Sequence, residues 1–480
     1  MRSLFIFTLF FFILPLEAAP PVPLWERVYG GHYDDEARGV IQVDSGRFVI
    51  VGWTSSYGAD TKDAYLLVID SLGDTLWTKT YGRERDDVGY DIAVTDSGDF
   101  ILVGGSTRPY YDGYLMFPWV LKLNSEGDTL WEKVIKRGHS FKRISRVKEG
   151  GFLAVGAVFR MVGYRMDGDG DSLWFSNNDE FWSGANDFVE LPGGGFMLVG
   201  LDSTRGTDST NCEFHMGVSF FSDSGDFLYD RYYRASWNDA LYSVVEGYDG
   251  NYLACGYTAR GDYGMTDLYL VKLDSLGDTL WTRVYGGPGW ECGYDIERTD
   301  DSAYIVVGYT DSRGSGWSDV YLLKVNDDGD TLWTATYGGS DYEGAYRILP
   351  LGGDNYLIVG YRMVIGGYRD VYILRLGPQS GVIERGDKGV LFSVDGGIGG
   401  PLRVEYGLEG RERVRLVIYD VLGREVRVLR DRVDQRGRYE VEWDIRDDGG
   451  LRVNSGVYIV GLTVGDERYV RRVIVLGGCR

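Results

Sequence analysis

The sequence predicts an all-β chain: a seven-bladed β-propeller followed by a small antiparallel β-sandwich. Three observations predict it. An apolar strand ending in glycine recurs seven times, at Gly52, Gly104, Gly156, Gly200, Gly256, Gly308 and Gly360, spaced by 52, 52, 44, 56, 52 and 52 residues. Each unit of about 50 residues holds four strand-like runs parted by turn residues, the pattern of a propeller blade. Charge also breaks near Pro378: residues 379–480 hold 18 Lys+Arg against 17 Asp+Glu, which leaves 32 against 55 for the rest of the chain. Such a shift marks a domain boundary.

In chain order, residues 1–19 read as a signal peptide. Arg2 precedes an apolar run from Leu4 to Leu16, too short to span a bilayer, and Ala18-Ala19 offers the cleavage site. The propeller is expected over residues 20–377. Its first unit has runs at Gly39 to Val43, Arg47 to Trp53, Asp63 to Ile69 and Thr75 to Tyr81, with Asp44-Ser45-Gly46 and Asp70 to Asp74 as turns. A Gly-Asp-Thr-Leu-Trp marker or a variant ends at Trp77, Trp131, Trp174, Tyr229, Trp281 and Trp333, and Leu24 to Tyr29 has the same form. The seventh unit stops at Tyr372 to Leu376 with three strands, so residues 24–29 are expected to supply the fourth, closing the ring and removing a free sheet edge. Residues 378–400 read as a linker. From 401 to 480 apolar and polar residues alternate, with Val414, Leu416 and Ile418 on one face against Arg413 and Arg415, as a half-buried antiparallel sheet requires.

Two resemblances add to this. Residues 265–289, Met-Thr-Asp-Leu-Tyr-Leu-Val-Lys-Leu-Asp-Ser-Leu-Gly-Asp-Thr-Leu-Trp and onward, resemble the repeats of secreted β-propeller proteins of Gram-negative bacteria, over about residues 24–377. Val417 to Val426, Trp443 to Asp447, Ser455 to Tyr458 and Arg471 to Leu476 resemble the type IX secretion C-terminal sorting domain and its relative, the Ig-like domain of flagellar hook-capping proteins. The second resemblance implies an Ig-like sandwich that engages the outer-membrane secretion machinery through residues 401–480 and leaves the protein secreted or anchored at the cell surface.

Function classes narrow by charge and by chemistry. A formal net charge of −22 argues against nucleic acid or an anionic membrane as partner, since both need a basic face. Hydrophobic residues at 44% exclude disorder. Cys212, Cys255, Cys292 and Cys479 form no CxxC pair, and His32, His139 and His215 stand in no nucleophile motif. Asp167-Gly-Asp-Gly-Asp171 occupies the slot of the Asp70 to Asp74 turn and reads as that turn rather than a calcium loop. Trp77, Trp131, Trp281 and Trp333 fall at equivalent positions and are expected to pack between blades. The non-repeating Tyr110, Tyr111, Trp182, Trp237 and Trp290 are the ligand-binding candidates. Asp35, Asp87, Asp239, Glu291 and Glu343 share one position ahead of the first strand of each unit, with His139 and Ser183 as exceptions. If that strand is innermost, five carboxylates would surround a channel mouth. They are the metal candidates, with calcium the cation considered against a purely structural role; no other cofactor is expected. The function expected is a non-enzymatic binding or scaffold module for an extracellular glycan or protein. The alternative is a glycoside hydrolase, which would need two carboxylates across a cleft.

Overall fold

The computed structural model describes residues 20–480 except 45, 59–60, 84, 112, 158–159, 178–182, 206–211, 237, 260–264, 364–366, 379–390, 396–401, 409, 421–423, 455, 466 and 476–480. The expected signal peptide lies outside the described residues. Among these residues every regular element is a strand, and they fall into two compact units, one ending at Leu376 and one starting at Gly377.

The first unit is a seven-bladed propeller. Blade 1 comprises Asp35–Asp44, Arg47–Thr54, Asp63–Asp70 and Thr75–Tyr81, hydrogen-bonded in sequence order, and blades 2 to 6 repeat this meander. Their first strands are Asp87–Val94, Ser140–Arg146, Ser183–Glu190, Asp239–Glu246 and Glu291–Arg298, and blade 7 begins with Tyr342–Pro350. Each first strand neighbours the next, and that of blade 7 returns to that of blade 1, so the first strands line the centre of a closed ring. Blade 7 continues through Tyr356–Met363 and Arg369–Gly377 and takes Val22–Tyr29 as its outer strand.

The core is a set of slabs between blades. Seven apolar clusters each join two neighbouring blades, among them Val49, Leu66, Leu102 and Leu121 between blades 1 and 2, and Ile50, Leu67, Val359 and Ile373 between blades 1 and 7. Middle strands such as Tyr304–Thr310 are therefore apolar on both faces, since each face meets a different blade. The repeated tryptophans latch the slabs at the rim. Trp77 packs on Gly127 in the outer turn of blade 2, and Tyr81 donates its hydroxyl to the Gly127 carbonyl at 2.7 Å. Gly127 has φ +80°, where a side chain would be strained and would also strike the Trp77 ring at 2.8 Å. The closing strand repeats this device: Trp25 packs on Gly73 and Tyr29 donates to the Gly73 carbonyl.

The second unit packs a sheet of Leu391–Asp395, Leu402–Leu408 and Gly437–Trp443 against one of Glu425–Asp434, Glu412–Asp420, Gly456–Val464 and Glu467–Val475. One cluster with Trp443, Tyr406, Leu416, Ile418 and Val460 fills the space between them. Leu391–Asp395 lies inside the stretch expected as linker, yet it pairs in register with Leu402–Leu408. Its five residues were masked in the pattern by the glycine-rich stretch that follows.

Candidate functional site

Backbone geometry, repeated seven times, builds one cavity at an end of the channel. In every blade the first strand carries a β-bulge opposite the repeated glycine. In blade 1, Ala37 pairs with Gly52 and Gly39 with Val51, which leaves Arg38 as the extra residue. The equivalents are Tyr90, Lys142, Asn186, Tyr242, Tyr294 and Tyr346. A bulge re-aims the extra side chain out of the regular alternation. The glycine is what permits it: a Cβ on any of the seven would stand 1.8 to 2.1 Å from a backbone carbonyl of the bulged strand.

These seven residues, one per blade, line a cavity of about 140 Å³ together with Arg347. Around the ring each touches the next for most of the circuit. Tyr242 and Tyr294 meet edge to face at 4.8 Å between centroids, and Tyr294 and Tyr346 meet with tilted rings at 5.1 Å. The Arg38 guanidinium lies 3.8 Å from the Tyr346 ring and 5.9 Å from that of Tyr90, over which Lys142 Nζ lies at 3.4 Å. Asn186 donates its amide to the Leu241 carbonyl at 2.8 Å. Burial would raise the Tyr90 phenol, but Lys142, Arg38 and Lys62 outweigh it and hold it below the ordinary value. Burial pushes Lys142 down, with Tyr90 opposing and Arg38 adding to the push.

One residue deeper, an ionic layer closes the channel beneath the cavity. Arg143 Nε lies 3.1 Å from Asp187 Oδ1, and Arg347 Nη1 lies 2.9 Å from Asp295 Oδ1. Ser243 donates to Asp187 at 2.7 Å, and its hydroxyl oxygen lies 3.0 Å from Asp295 Oδ1. Asp91, Asp187 and Asp295 each accept a backbone N–H from the next blade, those of Ile144, Val244 and Ile348, at 2.9, 3.1 and 3.0 Å. The layer thus ties blades together as well as forming a floor. Burial raises the carboxyls of Asp91 and Asp187 and, well above the usual range, Asp295.

The five carboxylates singled out as metal candidates stand at the first or, for Glu343, the second residue of the innermost strands, three residues ahead of the lining positions. All five are buried, and none is among the cavity-lining residues. Each accepts a backbone N–H from the loop before it: Gly31 to Asp35 at 2.9 Å, Arg83 to Asp87 at 2.7 Å, Ala235 to Asp239 at 2.9 Å, Gly287 to Glu291 at 3.0 Å and Gly339 to Glu343 at 3.3 Å. Thr258 and Thr310 hydroxyls donate to the second oxygens of Asp239 and Glu291, both at 2.6 Å, and Arg362 Nε lies 3.2 Å from Glu343 Oε1. Burial, rather than repulsion among the five, raises Asp87 and Glu343. Among the described residues no group of three or more His, Cys, Asp or Glu is arranged to hold a metal ion.

The aromatic candidates are scattered. Trp182 and Trp237 lie outside the described residues. Tyr111 is 90% exposed and meets Tyr110 edge to face at 4.5 Å on the loop after the second strand of blade 2, whereas Trp290, 45% exposed, precedes the first strand of blade 6. Antiparallel order places both loops at the same end of the ring as the cavity, but on different blades. Exposed Trp317 and half-buried Tyr342, stacked at 5.8 Å between blades 6 and 7, escaped the sequence analysis, as did the lining residues. A signal for the latter existed: counting three residues on from the acidic register gives Tyr four times out of seven, with Arg38, Lys142 and Asn186 departing from it.

No protein-family model matches the chain, and no curated protein matches it. Solved structures do. The WD40 β-propeller domain of Doa1 is 12% identical, with 75% of this chain and 98% of that one covered at a TM-score of 0.49. PorZ, a surface component of the type-IX secretion system of Porphyromonas gingivalis, is 16% identical over 93% of this chain and 60% of that one, at 0.43. A protein of unknown function from Bacteroides caccae is 11% identical over 61% and 94%, at 0.38. The assignment of the propeller rests on the strand order of the chain itself.

Proposed function

We propose that the protein is an exported, non-catalytic binding module whose ligand enters the channel mouth ringed by Arg38, Tyr90, Lys142, Asn186, Tyr242, Tyr294 and Tyr346. The observation that carries this is their convergence: seven blades each spend a bulge to aim one polar or aromatic side chain into a single blind cavity. Aromatic faces edged with hydroxyls and cations bind well and do little chemistry by themselves. A glycosidase would need two carboxylates facing the ligand. The eight lining residues include none; Glu36 is paired with Arg38 and Arg369, and Asp91, Asp187 and Asp295 are engaged in the floor by arginines and backbone N–H groups.

The C-terminal sandwich, through its resemblance to sorting domains, serves passage across the outer membrane and retention at the surface of a Gram-negative cell. The mouth is tested by probing glycan and peptide arrays with the purified protein and with a Tyr294→Ala, Tyr346→Ala variant, with hydrolysis assays on every hit. Hits that vanish in the variant and are not cleaved support the proposal; hits unchanged in the variant, or cleaved, oppose it. Export is tested separately by fractionating cells that express the full chain or a chain ending at residue 400.

A further inference from the structure

Three other lysines with buried stems are each neutralised by carboxylates. Lys122 has Asp99 and Asp169 both at 3.9 Å, Lys272 has Asp249 at 2.7 Å and Asp327 at 2.5 Å, and Lys324 has Asp301 at 2.9 Å and Asp354 at 3.1 Å. The other cations of the cavity are matched as well: Arg38 by Glu36 at 2.5 Å, and Arg347 by Asp295. Lys142 is the exception. Among the described residues it has no carboxylate within ion-pair distance; its partner is Tyr90, through the ring and a side-chain hydrogen bond, and Arg38 lies 5.9 Å from the same ring. An ammonium with no carboxylate partner in a half-buried cavity attracts an anion locally, even though the chain as a whole carries net charge −22.

The lining limits what that anion can be attached to. Four tyrosines, an asparagine, two arginines and the lysine make the wall, without one aliphatic side chain. The body of the ligand must therefore be rich in hydrogen-bonding groups, yet present a C–H face to the rings of Tyr242, Tyr294 and Tyr346. A sugar ring has both. The floor of paired Arg143, Asp187, Asp295 and Arg347 stops a chain from threading through, so one residue enters from the open side.

Resting on the mouth being the binding site, we infer that it takes a carboxylated sugar, a uronic acid unit of an acidic glycan, with the carboxylate at Lys142 Nζ and the ring on the tyrosine faces. The charge-assisted hydrogen bond would form in a site already shielded from bulk water, where such bonds are strongest. Binding would also lift the penalty of holding Lys142 and Arg38 near each other, the effect that adds to the lowering of the lysine.

The test uses the full chain and two sugars of the same shape, galacturonate and galactose, in titrations followed by ligand-observed NMR, against wild type, Lys142→Tyr and Tyr294→Ala. Lys142→Tyr installs the side chain that four other blades carry at this position, so the ring tolerates it. The expected result is binding of galacturonate, at least about tenfold weaker in Lys142→Tyr, with galactose weaker than galacturonate in wild type and the preference for galacturonate lost in the variant. Equal binding of the two sugars, or galacturonate binding unaffected by Lys142→Tyr, overturns the inference. Failure of galacturonate to bind overturns it too. If some other array ligand then binds and is lost in Tyr294→Ala, the mouth remains the site and only the acid specificity falls; if nothing depends on Tyr294, both fall.

Discussion

Glu297 sits two residues beyond Asp295 on the same strand, with Arg143 Nη2 at 3.7 Å, and burial, opposed by Arg143, pushes its carboxyl from 4.5 up to about 7. Asp187, Asp91, Asp295 and Arg298 are the other charges around it. A raised folded value means the native state holds this proton more tightly than the unfolded chain does. Its stabilising contribution is complete below about 4.5 and is lost as pH rises through about 7. Wild type should therefore lose stability relative to Glu297→Gln between a pH near 4.5 and one above 7, read as urea midpoints at both; a constant difference would contradict it. The buried carboxylates at the strand starts make the opposite kind of prediction. Asp239 and Glu291 have donors on both oxygens, with threonine hydroxyls and backbone N–H groups taking the places a cation would need. Millimolar calcium should leave the melting temperature unchanged, and Glu291→Gln should lower it equally with and without the ion. A calcium-dependent rise that Glu291→Gln removes would restore a cation role.

At the scale of the strand, the seven repeated glycines and the seven bulges are one device. The glycine leaves room for the carbonyl that the bulge swings over it, and the bulge aims a side chain at the cavity. A Cβ on Gly256 would lie 1.9 Å from the Ala240 carbonyl oxygen, backbone that cannot move without unpairing the strand. Gly256→Ala should cost about 2–4 kcal/mol in urea unfolding, against roughly 0.5 kcal/mol or less for Gly168→Ala, whose added Cβ meets nothing within 4 Å. Equal effects would separate the glycine from the bulge. This device also explains what the sequence discloses and what it hides. Glycine spacing, apolar middle strands and the Trp markers are periodic, so blades and their number are legible. The lining residues are not, because the bulge inserts one residue and breaks the alternation of two by which strand faces are counted. The shared position of Asp35 and its equivalents ahead of the innermost strands suggests carboxylates at the mouth, whereas Arg38 and its equivalents, three residues on, line the cavity. Leu391–Asp395 was missed for a plainer reason, since five residues beside a run of glycines carry too little pattern to be told from a linker.

Over the whole molecule, the ring stands or falls with its closure, because every interblade slab is shared and an opened ring exposes two of them. Val22–Tyr29 is held from both sides: Glu26 accepts from Tyr372 at 2.8 Å within blade 7, Trp25 donates to Ser71 O at 3.1 Å in blade 1, and Pro21 O accepts from Tyr337 of blade 6 at 2.7 Å. The cavity needs all seven blades in place, since Arg38 of blade 1 stacks on Tyr346 of blade 7 across the closing seam. Among the described residues, the strands that make this closure end at Gly377. The most direct measurement is therefore equilibrium unfolding of two truncated chains, residues 20–378 and residues 31–378. The account predicts one cooperative transition for the first, at the midpoint the propeller shows in the full chain, and a large fall in midpoint or loss of cooperativity for the second. Matching midpoints and slopes for the two chains would contradict a ring closed by its N-terminal strand, and with it the seven-residue mouth.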